Sequence, residues 1–389
     1  MEFGFTEEEI KLIEDVRAFI RKESTPELLA ETHELGEIYG GQEGRKFIKK
    51  LAARGWFVPH WPKAYGGQES SAMVTFIIRD ELAYSELPWG FVGAYIAGPI
   101  ILRRGSEKLK DEFLPRIANG ELEFALGYTE PNAGSDLASL EIRAEDKGDF
   151  FLLNGNKTFN THCHIADYHW LAARTDYDAP KKHQGISLMI VDLKSPGITI
   201  EPMITMAGFR TNEVFYDDVV VPKRNLVGEK NRGFYYLMEA LDHERMYPPG
   251  AFRKLFEEIV EYAKETIVDG KPLSKDPLIR QKLAQMAVEL EVTKLLYYRL
   301  SYIIDREMIT SYQSSMEKLF ATELAQRISN TGMEVLGLYG QLKTESKLAL
   351  LAGKVEYNYR RTVVETIYAG TSEIQRNIIA QRGLGLPVA

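Results

Sequence analysis

Apolar positions fall into three textures along the chain. Through residues 1–120 they return every three or four places, the period of a helix with one buried face. In TEEEIKLIEDVRAFIRKES, Ile10, Ile13, Val16 and Ile20 form such a stripe, and Thr6 with Glu9 three places later reads as a capping box. SSAMVTFIIRDELAYS and GFVGAYIAGPIILRRGS predict helices close to a core. Between 121 and 230 the apolar runs shorten to strand length: FFLLNGNKTFN, HWLAART, ISLMIVDL, GITIEPM and EVFYDDVVVP, with breaks such as NGN and KSPGI. From 231 to 389 long amphipathic stretches return, among them LIRQKLAQMAVELEVTKLLYYRLSYII and SSMEKLFATELAQRISNTGMEVLGLYG. The pattern predicts an α+β chain with an N-terminal α-helical domain (1–120), a middle β domain (121–230) and a C-terminal α-helical bundle (231–389).

Composition narrows the function. Of 389 residues, 44% are apolar and 27% charged, the balance of a soluble globular protein. The net charge of −8 argues against non-specific nucleic-acid binding. The single cysteine, Cys163, forbids an internal disulfide and suits a reducing compartment, the cytoplasm. The opening MEFGFTEEEIKLIEDVRAFI is acidic and helical, unlike a secretory signal, and no apolar run is long enough to span a bilayer.

Four segments carry candidate chemistry. In LDHERMYPPGAF, Leu237, Leu241 and Glu244 share one helix face, flanked by Phe234 and Met238. Glu244 thus stands where a leucine is expected, and Pro248 and Pro249 withhold the N–H groups that would continue the helix. A carboxylate on such a stripe is either a structural partner of Arg245 or another cation, or a general base tuned by burial. LGYTEPNAGSDLASL offers free N–H groups and hydroxyls in a turn after an apolar strand; a simple β-turn has the same composition. In KTFNTHCHIADYH, the His162-Cys163-His164 run does not match a zinc spacing, and no metal is expected. In TIYAGTSEIQRNIIAQRGLGLP, Thr371 or Ser372 caps a helix whose entry loop would suit a phosphate or a polarised carbonyl, or is an ordinary cap.

In that order, these segments resemble the acyl-CoA dehydrogenase family over essentially the whole chain. GYTEPNAGSD is similar to the family's first signature, IYAGTSEIQRNIIAQRGLGLP to its C-terminal one, and GFRTNEVFYDDVVVPKRNLVGEKNRGF to its exit from the β domain. The resemblance implies an N-terminal helical domain, a middle β domain and a C-terminal four-helix bundle, usually assembled as a tetramer. It implies FAD and an acyl-CoA oxidised to the 2-enoyl-CoA: a base takes the α-proton while the β-hydrogen leaves as hydride to flavin N5. Electron-transfer flavoprotein is the usual acceptor.

The resemblance also assigns residues. Leu126, Tyr128, Thr129 and Gly134 would line the flavin's polar edge, and Ser135 would serve the cofactor and the pantetheine side of the substrate. Phe159 stands where the family commonly has a tryptophan against the isoalloxazine, next to Asn160, and Thr161 matches the hydroxyl near N5. Gly337, Thr371 and Glu373 fall at further cofactor positions. Asp242 and Arg245 match positions that meet the CoA portion, with Tyr368, Ala369 and Gly370 at the acyl end.

The departures are informative. Many members carry the base immediately before the Gly-Thr of the C-terminal motif, where this chain has Ala369. The isovaleryl-CoA dehydrogenase type has alanine there and a glutamate within LD-x-ER, the position of Glu244. The missing carboxylate and the oddly placed one explain each other, and the balance for Glu244 shifts to catalysis. The backbone N–H of Ala369, with a flavin ribityl hydroxyl, would polarise the thioester carbonyl. Thr266 and Asp269 replace an arginine and a phenylalanine that reach a neighbouring subunit's FAD, and Leu338 replaces a glycine after Gly337. The adenosine half of FAD is therefore expected either to be held differently or to be bound poorly by some subunits, in a homotetramer or a mixed tetramer. An alanine at 369 leaves room for branched, cyclic or aryl-substituted acyl groups. Acyl-CoA oxidase and a catalytically inactive partner subunit are the competing readings. The cluster Asp80, Glu81 and Glu86 could offer another proton acceptor but is expected to lie mostly at the surface.

Overall fold

The computed structural model describes residues 4–36, 41–306, 308 and 310–387. Helices occupy both ends of the chain and strands the middle: α1 Glu7–Glu23, α2 Pro26–Leu35, α3 Gln42–Ala53, α4 Ala72–Tyr84, α5 Gly98–Arg104 and α6 Glu107–Ala118, then β1 Phe124–Gly127, β2 Arg143–Asp146, β3 Phe150–Lys157, β4 Tyr168–Arg174, β5 Ile186–Asp192, β6 Ile198–Ile204 and β7 Arg210–Pro222. There follow α7 Gly233–Glu244, α8 Gly250–Glu265, the hairpin β8 Ile267–Val268 and β9 Lys271–Pro272, and α9 Pro277–Ile304, α10 Ser311–Leu336, α11 Lys354–Glu365 and α12 Ser372–Ile378. The predicted α+β class holds: an N-terminal helical, a middle β and a C-terminal helical part.

These elements gather into two compact units, one of Glu23–Thr75 and Pro88–Glu244, the other of Met1–Lys22, Phe76–Leu87 and Arg245–Ala389. The first holds a seven-stranded sheet in the order β1-β4-β2-β3-β7-β6, with β5 paired to β4. Strand β4 is buried along nearly its whole length, because α7 covers β4 and β5 on one side. A continuous apolar run such as WLAA is what a strand covered on both faces requires. The Asn154-Gly155 pair does not separate strands. It sits inside β3 at a register shift against β7, with Gly155 at φ 138°, a bulge that glycine accommodates without a Cβ.

In the second unit α8, α9 and α11 pack around α10. The capping box of α1 forms as predicted: Thr6 N donates to Glu9 at 2.7 Å and Glu9 N to the Thr6 hydroxyl at 3.2 Å. The segment TIVDGK folds as the hairpin β8–β9, with Asp269 and Gly270 both at positive φ, the two-residue turn that Asp-Gly favours. The expectation that Asp80 and Glu81 are surface residues is wrong. Both are 5% exposed. Asp80 accepts Gly250 N at 2.6 Å and the Tyr298 hydroxyl at 3.3 Å, and burial raises its pKa. Glu81 takes a two-pronged ion pair from Arg17 at 2.7 and 2.9 Å. Charges at these helix positions are tolerated because each is satisfied by a specific donor.

Candidate functional site

The candidate residues divide between the two units. The sheet unit holds Leu126, Tyr128, Thr129, Gly134, Ser135, Phe159, Asn160, Thr161, Asp242 and Glu244; the helical unit holds Arg245, Gly337, Tyr368, Ala369, Gly370, Thr371 and Glu373.

In the sheet unit, the turn after β1 is tied to the end of β3. Thr158 N donates to Thr129 O at 2.9 Å, and the buried Asn160 side-chain amide reaches Leu126 O at 2.9 Å. Beneath the turn lies a buried ion pair: Lys157 Nζ is 2.8 Å from Glu130 Oε1 and 2.8 Å from Tyr128 O. Lys157 is fully buried, which lowers its pKa against the opposing pull of Glu130. Glu130 also accepts the backbone N–H groups of Glu141 and Ile142 at 2.6 and 3.1 Å. Gly134 has open space around it, and neither it nor Ser135, both exposed, donates a backbone hydrogen bond among the described residues.

Phe159 is the anomaly of this wall. Its ring is 61% exposed and its backbone sits at φ 56°, a region a bulky residue enters only when its surroundings enforce it. Here they do, since Asn160 exchanges hydrogen bonds of 2.8 Å each with Asn212 and thereby anchors the next peptide. The Thr161 hydroxyl, alongside, is 3.1 Å from that of Thr211. Of the histidines that raised a metal question, His162 is buried with Nε2 2.6 Å from Leu35 O, and burial brings its pKa down to about 3.

Helix α7 ends at Glu244, as the prolines predict, with Leu237 and Leu241 buried on the same stripe. Glu244 and Asp242 are half-buried. Glu244 lies close enough to Tyr128 for its charge, after burial itself, to push the Tyr128 phenol well above its usual range.

In the helical unit, the segment after the break is held by buried charges. Arg79 donates to Met246 O at 3.2 Å, and Tyr247 N donates to Glu317 at 3.2 Å. Burial drives the Glu317 carboxyl well above its ordinary pKa. Arg245 reaches Ala369 O at 3.1 Å, so Arg245, Ala369 and Gly370 meet as a group. Tyr368 stacks at 6.2 Å on Tyr247. Ala369 and Gly370 both have positive φ, 54° and 91°. A Cβ at Gly370 would lie 2.6 Å from Gln375 Nε2 and displace that amide, and its positive φ favours glycine. Thr371 is the cap, accepting Ile374 N at 3.2 Å. Glu373 is exposed, its pKa lowered by its own backbone N–H and by Thr371. Thr371 and Glu373 border a groove of about 430 Å³ lined from α10 by Glu323, Gln326, Arg327 and Asn330. Gly337 ends α10 at φ 58°, ψ −135°, a conformation reserved for glycine, and the following Leu338 is 83% exposed.

Sequence patterns do not single out Lys318, Glu317 or Gln375. For Lys318 a signal does exist: it shares the buried stripe of α10 with Ser314, Ala321, Ala325 and Ile328, the same kind of misplaced charge as Glu244.

The chain matches the family models for the acyl-CoA dehydrogenase N-terminal domain over residues 6–121, the middle domain over 125–219 and the C-terminal domain over 231–384. It is 37% identical over 398 residues to acyl-CoA dehydrogenase FadE26 of Mycobacterium tuberculosis (strain ATCC 25618 / H37Rv), covering 100% of both chains. It is 34% identical over 390 residues to the caffeyl-CoA reductase-Etf complex subunit CarC of Acetobacterium woodii (strain ATCC 29683 / DSM 1030 / JCM 2381 / KCTC 1655 / WB1), covering 97% of this chain and 98% of that one. Among solved structures, the Tcur3481-Tcur3483 steroid ACAD superposes with a TM-score of 0.91 at 34% identity, covering 100% of both chains.

The protein therefore belongs to the acyl-CoA dehydrogenase family. It is a flavoprotein oxidoreductase of CoA thioesters, and its cofactor is FAD. Among the described residues no helix is long and apolar enough to cross a membrane.

Proposed function

We propose that this enzyme carries out α,β-dehydrogenation of a bulky acyl-CoA with Glu244 as the base. FAD, when bound, supplies the two-electron acceptor for the β-hydrogen. The residues present suit such a ring: Phe159 offers an exposed aromatic face, Thr161 a hydroxyl beside it, and Gly134 and Ser135, on an open turn, N–H groups with no partner among the described residues. Leu126, Tyr128, Thr129 and Asn160 form the frame that holds these groups. Thr371, Glu373 and Gly337 are assigned to the remainder of the cofactor.

The observation that carries the base assignment is the placement of Glu244 at the last turn of α7, half-buried and coupled to Tyr128, while position 369 offers only a methyl group. Glu244 removes the α-proton, Asp242 and Arg245 orient the CoA portion with Ser135, and the amide run at Ala369 and Gly370 beside Tyr368 polarises the thioester carbonyl. Such polarisation by fixed donors acidifies the α-carbon before the proton moves.

An alanine at 369 leaves space next to the reacting carbons, which favours branched, cyclic, aryl-substituted or polycyclic acyl groups. The names of similar proteins, a steroid ACAD and a caffeyl-CoA reductase subunit, point the same way. The second of these names also favours the reverse reaction, reduction of an aryl enoyl-CoA in complex with an electron-transfer flavoprotein. We assign an electron-transfer flavoprotein as the partner in either direction, and a tetramer, homomeric or mixed, as the assembly.

The test is anaerobic flavin reduction across a panel of straight-chain, branched and ring-bearing acyl-CoAs. Glu244→Gln is expected to keep FAD and slow bleaching by about 10²–10⁴. Normal bleaching by that variant would move the base elsewhere, and exclusive use of straight chains would end the bulky-substrate reading. Stoichiometric hydrogen peroxide in air would identify an oxidase.

A further inference from the structure

The loop from Tyr368 to Thr371 turns its carbonyl oxygens onto buried donors. Ala369 O receives Arg245 Nε at 3.1 Å and Gln375 Nε2 at 2.8 Å. Gly370 O receives Lys318 Nζ at 2.9 Å and Gln375 Nε2 at 3.1 Å. The peptides are trans, and in a trans peptide the N–H points opposite to the C=O of the same plane. The N–H of Gly370 consequently faces away from Arg245 and Gln375, and that of Thr371 away from Lys318. Among the described residues neither of these N–H groups, nor that of Ala369, has a hydrogen-bond partner. Three successive unpaired amides in a half-buried loop call for an acceptor.

Lys318 itself demands explanation. Its side chain is completely buried, an expensive place for an ammonium. Burial pushes the pKa of its neighbour Glu317 upward, while Arg79 and Lys318 pull it down. Lys318 reaches across to a backbone oxygen 52 residues away in sequence, with the Tyr368 ring 5.9 Å from its Nζ. A donor without acceptor character is the group that can hold a carbonyl inward and so leave the amides on the other side.

We propose that Lys318 is a positioning residue for catalysis: by fixing the Gly370 carbonyl it sets the Gly370–Thr371 peptide, and with it the loop whose amides meet the thioester carbonyl of the acyl-CoA. This rests on the acyl-CoA reading given above. The consequence is specific. Removing Lys318 should weaken polarisation of the carbonyl more than it weakens binding of the CoA chain.

The experiment is isotope-edited infrared spectroscopy of a 13C-carbonyl enoyl-CoA, the product of whichever acyl-CoA bleaches the flavin, bound to the holoenzyme. The natural enzyme should lower the carbonyl stretch relative to the free thioester. Lys318→Met should keep full FAD occupancy and a near-natural Tm but lose most of that lowering. Its kcat should fall on the order of tenfold or more, with KM little changed, short of the roughly 10²–10³ of deleting a direct donor. If Lys318→Met does not fold, Glu317→Gln with Lys318→Met, which leaves no ionisable group at either position, takes its place. A carbonyl stretch and kcat unaltered by the loss of Lys318 would overturn the proposal while leaving the loop's role intact. No lowering in the natural enzyme would remove the loop's role, and Lys318's with it.

Discussion

The turn at 128–135 and the loop at 368–371 both offer backbone N–H groups, yet they are supported by opposite charges. Under the first lies Glu130, an acceptor, which draws the amides of Glu141 and Ile142 inward and needs Lys157 as its counter-cation. Under the second lie Lys318, Arg245 and Gln375, donors, which draw the carbonyls of Ala369 and Gly370 inward. The difference follows from the hydrogen-bonding inventory: an ionised carboxylate can only accept and so gathers donors such as N–H groups, and an ammonium can only donate and so gathers acceptors such as carbonyl oxygens. A buried carboxylate therefore ties the turn to the neighbouring segment by consuming the amides of Glu141 and Ile142, whereas a buried cation fixes a loop through its own oxygens and leaves that loop's amides free for a ligand.

The largest test of this contrast is Lys157→Met. It leaves Glu130 buried without its cation and should cost about 3–5 kcal/mol in denaturant unfolding, whereas Lys157→Met combined with Glu130→Leu should recover much of the loss. If the single variant is as stable as the natural protein, the carboxylate does not organise the turn.

A smaller effect should come from Glu123, which gathers amides in the same way, accepting Phe124 N at 2.9 Å and Gly93 N at 3.1 Å. Burial raises its pKa to about 7, above the ordinary 4.5. Between those values the unfolded chain has lost the proton that the folded chain keeps. Its contribution to stability is thus complete below about pH 4.5 and is lost as pH rises through about 7, a decline of at most about 3 kcal/mol. Glu123→Gln should flatten that stretch of the Tm-against-pH curve, and an unchanged slope would locate the proton elsewhere.

The smallest expected effect on stability is Gly370→Ala. The positive φ and the approach of Gln375 should cost about 1–2 kcal/mol. Its kcat should suffer beyond what that stability change explains, because the carbonyl clamp is displaced. Full kcat at reduced stability would show that loop geometry matters only for folding.

Local features of the fold are legible in the linear chain. The capping box of α1, the break after Glu244 and the strand runs through Val221 are short-range properties. So is the anomaly of Glu244, because a charge on an apolar stripe shows within two turns of a helix. The NGN segment reads as a break between strands because Asn-Gly favours a hairpin turn and a bulge alike, and only pairing with β7 separates them. Asp80 and Glu81 read as surface residues because their partners, Gly250, Tyr298 and Arg17, are remote in sequence.

By itself the sequence determined the succession of helical, strand and helical parts, the family, and the absence of a proton acceptor at position 369. Periodicity, caps and motifs act over a few residues and survive in a linear reading. Only the tertiary structure decided which buried charges support which backbone, because a hydrogen bond between Lys318 and Gly370, or between Glu130 and Ile142, depends on where distant segments are brought together and on which way each peptide faces.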